Sequence, residues 1–134
     1  MRSAYANSNR RMIEMLPSKQ EQIEALLQHK AYDLVVKYAP AAQLTSRCYE
    51  SVFSMKRFEI LQYVERNYKI EDLVSTVPQQ RDGFYAIRGV QGYRVYEQEH
   101  QLKIFEQHVS TEHDVWVAFV NYLLETSGTA LDFN

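Results

Sequence analysis

Phe84-Tyr85-Ala86-Ile87-Arg88-Gly89-Val90, Tyr93-Arg94-Val95-Tyr96-Glu97-Gln98-Glu99 and Leu102-Lys103-Ile104-Phe105-Glu106-Gln107-His108-Val109 are three successive runs in which β-branched and aromatic residues alternate with polar ones. A period of two is what a strand with one better-buried face requires. The breaks between the runs suit tight hairpins: Gln91-Gly92 supplies a glycine for a positive φ, and His100-Gln101 is short and polar. After Val109 the period changes. Ser110 or Thr111 can cap a helix, and Thr111 to Asp114 has capping-box spacing. Val115, Trp116, Phe119, Val120, Leu123 and Leu124 then recur at helical intervals, and Gly128 ends the pattern. Gly83 to Gly128 therefore reads as a β-β-β-α block.

Upstream of it the periods are helical. A short helix is expected from Arg10 to Leu16. Pro17 interrupts it, and Ser18-Lys19-Gln20-Glu21 is a capping box that opens the next helix. Ile23, Leu26, Leu27, Ala31, Leu34, Val35 and Tyr38 keep one stripe, which predicts a helix from Lys19 to Ala39 ended by Pro40. Residues 32–38 also alternate as a strand would; the unbroken stripe favours helix. From Leu44 to Tyr68 the apolar positions suit one helix whose face shifts near Ser54, or two helices meeting there. Lys69 to Asp82 is a joint in which Ile70, Leu73, Val74 and Val77 can pack, and Pro78 to Gly83 is an exposed loop leading into the sheet. The expected fold class is α+β: N-terminal helices followed by a three-stranded antiparallel meander and a C-terminal amphipathic helix. At 134 residues the chain is read as a single domain, mainly helical over 1–77 and β-β-β-α over 83–128.

Composition narrows the function classes. Hydrophobic residues at 46% and charged residues at 24% fit a soluble globular protein, and no apolar run approaches the roughly 20 residues that cross a bilayer. Met1 to Arg11 is polar and basic, unlike a secretory signal, and Cys48 stands alone, so a cytoplasmic location is expected, with Cys48 buried and inert. Charge is uneven. Residues 1–81 hold 12 Lys and Arg against 9 Asp and Glu, whereas residues 82–134 hold 3 against 8. The acidic second half would steer a basic partner.

No phosphate-cradling loop, nucleophile elbow or Cys-His pair is present in the sequence, so catalysis and a cofactor are not expected. His100, His108 and His113 lack the close pairing of a metal site, and no metal is expected. Lys56, Arg57, Arg66 and Lys69 make residues 44–69 the most basic region, which leaves open a helical regulator or adaptor, possibly on nucleic acid. A small enzyme working around Glu97, Glu99 and His108 is a further alternative. Ten tyrosines point instead to recognition, because tyrosine offers a large contact area and a polar tip at low entropic cost. Tyr93 and Tyr96 beside Glu97, Glu99 and Glu106 are the expected partner-binding residues.

Gly92-Tyr93-Arg94-Val95-Tyr96-Glu97, Lys103-Ile104-Phe105-Glu106 and a helix carrying Trp116-Val117-Ala118-Phe119 and Tyr122-Leu123-Leu124 together resemble the ending of many small bacterial immunity proteins of contact-dependent inhibition and other polymorphic toxin systems. The resemblance covers the last third of the chain. It implies a protein that binds one cognate toxin domain tightly and covers its active site without catalysis; the acidic half suits a basic toxin such as a nuclease. The family carries no universal functional residues, so it assigns none here.

Overall fold

The computed structural model describes residues 16–38 and 46–134, with the backbone alone for 46–48. The expected helix over 10–16 falls, save Leu16, outside the described residues, as do the stop at Pro40 and the side chain of Cys48. The fold class is α+β as expected. Backbone contacts group it into two compact units: the described residues up to Lys56 together with Ser127–Asn134, and Arg57–Thr126.

In the first unit, α1 (Lys19–Leu27), α2 (Ala31–Tyr38) and α3 (Ser46–Val52) are helical. Ser18 caps α1, its Oγ accepting from the Glu21 N–H at 3.1 Å. The helix expected from Lys19 to Ala39 is not continuous, and this corrects the sequence reading. His29 takes a left-handed φ of 57°, the Lys30 N–H reaches back to the Ala25 carbonyl at 2.7 Å, and the His29 N–H reaches Leu26 at 3.1 Å. This is a Schellman ending with histidine where glycine is usual. The chain folds back, so Lys37 Nζ meets Glu21 Oε2 at 2.8 Å and the Tyr38 hydroxyl donates to Glu21 Oε1. In one straight helix positions 21 and 37 would stand roughly 24 Å apart. Residues 31–38 are helix, not strand.

The unit's buried side chains include Ile23, Leu26, Leu34, Val35, Val52 and Phe53, and Phe133 packs edge-on to Phe53 at 6.2 Å. Gln22 is buried among them at 2% exposure. Its Oε1 accepts from the Ser54 N–H at 2.7 Å; its Nε2 donates to the Pro17 carbonyl at 3.1 Å and to Ser54 Oγ at 3.2 Å. One carboxamide thus ties the entry to α1 to Ser54, two residues beyond α3.

The second unit holds α4 (Arg57–Asn67), α5 (Ile70–Leu73), β1 (Gly83–Gly89), β2 (Gly92–Glu99), β3 (Leu102–Val109) and α6 (Glu112–Glu125). Of the two arrangements expected for 44–68, the pair of helices is the one observed, with a break between Val52 and Arg57. The sheet is an antiparallel meander in the order β1-β2-β3. Gly92 closes the first hairpin at a φ of 92°, and a Cβ there would lie 2.3 Å from the Val109 carbonyl oxygen, so only glycine fits. His100 and Gln101 form the second turn, both at positive φ (51° and 67°). On β3, Phe105 and Glu106 together oppose Tyr96, because Val95 pairs with Gln107 and Glu97 with Ile104; this bulge leaves Phe105 at a φ of 52°.

Thr111 caps α6, its Oγ1 accepting from the Asp114 N–H at 3.1 Å. The helix lies on the face that carries Phe84, Ala86 and Val95, with Phe84 at 5.8 Å from Phe119 and 5.4 Å from Tyr122, ring centre to ring centre. Trp116, Phe119, Val120 and Leu123 are buried, as their spacing predicts. On the other face Tyr85 and Tyr96 stack in parallel at 5.0 Å. The loop before β1 closes over this side: Tyr85 Oη donates to the Arg81 carbonyl at 2.5 Å, and Gln98 Nε2 donates to Gln79 at 2.7 Å and Arg81 at 3.0 Å. Ser75 extends the sheet by a parallel bridge to β1, its N–H donating to Phe84 at 3.2 Å and its carbonyl accepting from Ala86 at 2.9 Å.

Truncating a buried large aromatic costs about 3–5 kcal/mol, so Trp116→Ala is expected to shift the denaturant midpoint by a large fraction of total stability. A Trp116→Ala protein that melts with the wild type would show that α6 is not held by its buried face. Gln22→Leu leaves the Ser54 N–H and the Pro17 carbonyl without their partner, at a cost of about 1–3 kcal/mol; chemical denaturation checks this, and an unchanged midpoint would contradict it.

Candidate functional site

Successive side chains of β2 point to opposite faces. Tyr93, Val95, Glu97 and Glu99 take the α6 side, and Arg94, Tyr96 and Gln98 the other. Tyr96 is only 1% exposed, stacked on Tyr85, with Lys103 Nζ at 5.0 Å and Arg94 Cζ at 5.9 Å from its ring centre. Its hydroxyl has no hydrogen-bond partner among the described residues, and burial raises its pKa. As folded, Tyr96 offers no contact area to a partner. Glu106 pairs with Arg94 Nε at 3.2 Å, on the side of the sheet away from α6. Tyr93 approaches Glu112 Oε1 through its hydroxyl at 3.4 Å. Six residues of extended chain, roughly 20 Å, separate it from Glu99. The five expected residues therefore do not form one patch: Glu97 and Glu99 stay together, Tyr93 lies at the opposite end of the same face, and Tyr96 and Glu106 belong to the other face.

What converges around Glu97 is a set the sequence reading missed in part. Between the sheet and α6 lies a cavity of about 170 Å³, lined by the aromatic residues Phe84, Phe105 and Tyr122, by Val95 and Ala118, and by Glu97, Glu125, Gln107 and Asn121. Burial raises the pKa of Glu97, and the charges of Glu125 and Glu99 raise it further. The Tyr122 phenol is raised by burial and then by Glu97 and Asp82. Glu125 stands in the last turn of α6, which contains no basic residue, although the helix dipole favours a cation there. Phe105 is 74% exposed in a backbone conformation unfavourable to an aromatic residue. Glu125 was legible as an acid at a helix C-terminus. Phe105 was not, because the bulge that turns it out leaves no mark on the alternation.

The side chains of His108 and His113, and the backbone of His100, make local bonds. The His100 N–H donates to Asp82 Oδ1 at 3.0 Å, His108 Nε2 meets the Gln91 carbonyl, and His113 Nδ1 meets Glu65 Oε1 at 2.7 Å, joining α4 to α6. Among the described residues no group of three or more His, Cys, Asp or Glu is placed to hold a metal ion. Of the basic residues near α4, Arg57 donates to Asn121 Oδ1, so this guanidinium is turned toward α6. No described helix is long and apolar enough to cross a membrane. No family model, curated protein or solved structure matches the chain.

A carboxyl whose folded pKa is raised costs stability above that pKa, and the cost disappears as pH falls below its unfolded value, about 4.3 for glutamate. Glu97→Gln is therefore expected to raise the melting temperature at pH 7, with the gain shrinking towards pH 4. Thermal melts across that range decide it; a loss of stability at pH 7 would show that Glu97 is favourably paired.

Proposed function

We propose that this chain is a cytoplasmic immunity protein that binds a cognate toxin domain, of nuclease type, and neutralises it by occlusion without catalysis of its own. The observation that carries the reading is the negative patch at one end of the sheet, where Glu97 feels the like charges of Glu125 and Glu99 near the exposed ring of Phe105. A domain that crowds like charge at an exposed place is held back by its own repulsion, and a basic partner removes that penalty on binding. The acidic balance of residues 82–134 and the resemblance of the final third to immunity proteins support the same reading. Charge would speed the encounter, while buried aromatic contacts would set the lifetime of the complex.

The test is protection of cells that express whatever large secreted toxin is found encoded beside this chain's gene, together with binding kinetics. Reversing Glu97 and Glu99 to Lys is expected to slow association, more strongly at low salt. Phe105→Ala and Tyr93→Ala are expected to speed dissociation. If all these variants protect fully and bind unchanged, the interface lies on another surface; if the wild type neither binds nor protects, the reading fails.

A further inference from the structure

We propose that the cavity between the sheet and α6 receives one cationic side chain of a partner protein, an arginine guanidinium, held between Glu97 and Glu125 and against the rings of Phe84, Phe105 and Tyr122. The protein partner is taken from the reading above, on which this inference rests; the chemistry of the group it inserts comes from the cavity itself. At about 170 Å³ the space holds several waters at roughly 30 Å³ each, enough for a planar head group of that size. Three of its lining residues, Phe84, Phe105 and Tyr122, are aromatic, and ring faces attract cations. Glu97 and Glu125 line it and no Lys or Arg does; Arg57, although bonded to the lining residue Asn121, is not itself among the lining residues. Guanidinium suits such a place better than ammonium: it is flat, more weakly hydrated, stacks on rings and forks its donors to two carboxylates. Gln107 can accept a donor that the carboxylates leave over.

The probe is N-acetyl-arginine amide, compared with its uncharged isostere N-acetyl-citrulline amide in an NMR titration of the full chain. Saturable shifts confined to the Phe84, Phe105 and Tyr122 signals are expected with the arginine compound, and at least tenfold weaker binding with the citrulline one. The double variant Glu97→Gln/Glu125→Gln should lose the arginine response, whereas Glu106→Gln, on the opposite face, should keep it. Equal binding of the two compounds, shifts spread over every acidic side chain, or an unaltered response in the double variant would each overturn the proposal. These outcomes do not depend on any toxin, so a chain that takes arginine but protects no cell would sink the immunity reading alone, and the reverse result would sink the cavity alone.

Discussion

A three-stranded sheet whose middle strand buries Val95 on one side and Tyr96 on the other must be covered twice. Bare, either face would expose apolar or aromatic surface, at about 25 cal/mol for each Å² left in water. The helix α6 supplies one cover through its apolar stripe. The other rests on polar chemistry: Gln98 and the Tyr85 hydroxyl both reach carbonyls of the Gln79–Arg81 stretch. Loop carbonyls drawn over a face need donors, and these two side chains provide them from the sheet itself. The placement of the β2 side chains follows from that double covering.

It also fixes which residues remain exposed. Tyr96 serves the far face and is spent on packing, its hydroxyl left without a partner among the described residues. Residues at the exposed end of the α6 face have no such duty, because the helix finishes there and its last turn carries Glu125 rather than a cation. Edge strand β3 is exposed along nearly its whole length. Its bulge interrupts the regular edge that another strand would need, and turns Phe105 outward at the same point.

Much of this was legible in the sequence because local signals agreed. Alternation marked the strands to within a residue or two, and Thr111 and Ser18 cap helices where their spacing said they would. The first long helix was misread because its apolar stripe survives the break: Ile23 and Leu26 in α1, then Leu34 and Val35 in α2, are all buried, and a stripe records burial rather than continuity. Histidine at the left-handed position removed the glycine that would have announced the turn. The proposed contact residues were misgrouped for a related reason. Neighbours in sequence on a strand face opposite ways, so Tyr96 and Glu97 could not both belong to one surface, and a period of two says which residues share a face but not which face is covered.

Three local rules are broken in the second unit, and they are broken together. A carboxylate, Glu97, is partly buried beside like charges; a second, Glu125, ends a helix where a cation is favoured; and an aromatic residue, Phe105, takes a left-handed backbone in full view of solvent. Where sequence, local conformation and burial agree, a fold is self-consistent, and departures from that agreement concentrate at places shaped by something other than stability. All three side chains line one cavity. A cationic group entering it relieves the repulsion between the two carboxylates and gives the exposed ring a surface to cover, so one contact answers each departure at once. That shared remedy, rather than the acidity of the region as a whole, is the argument for placing recognition at this end of the sheet.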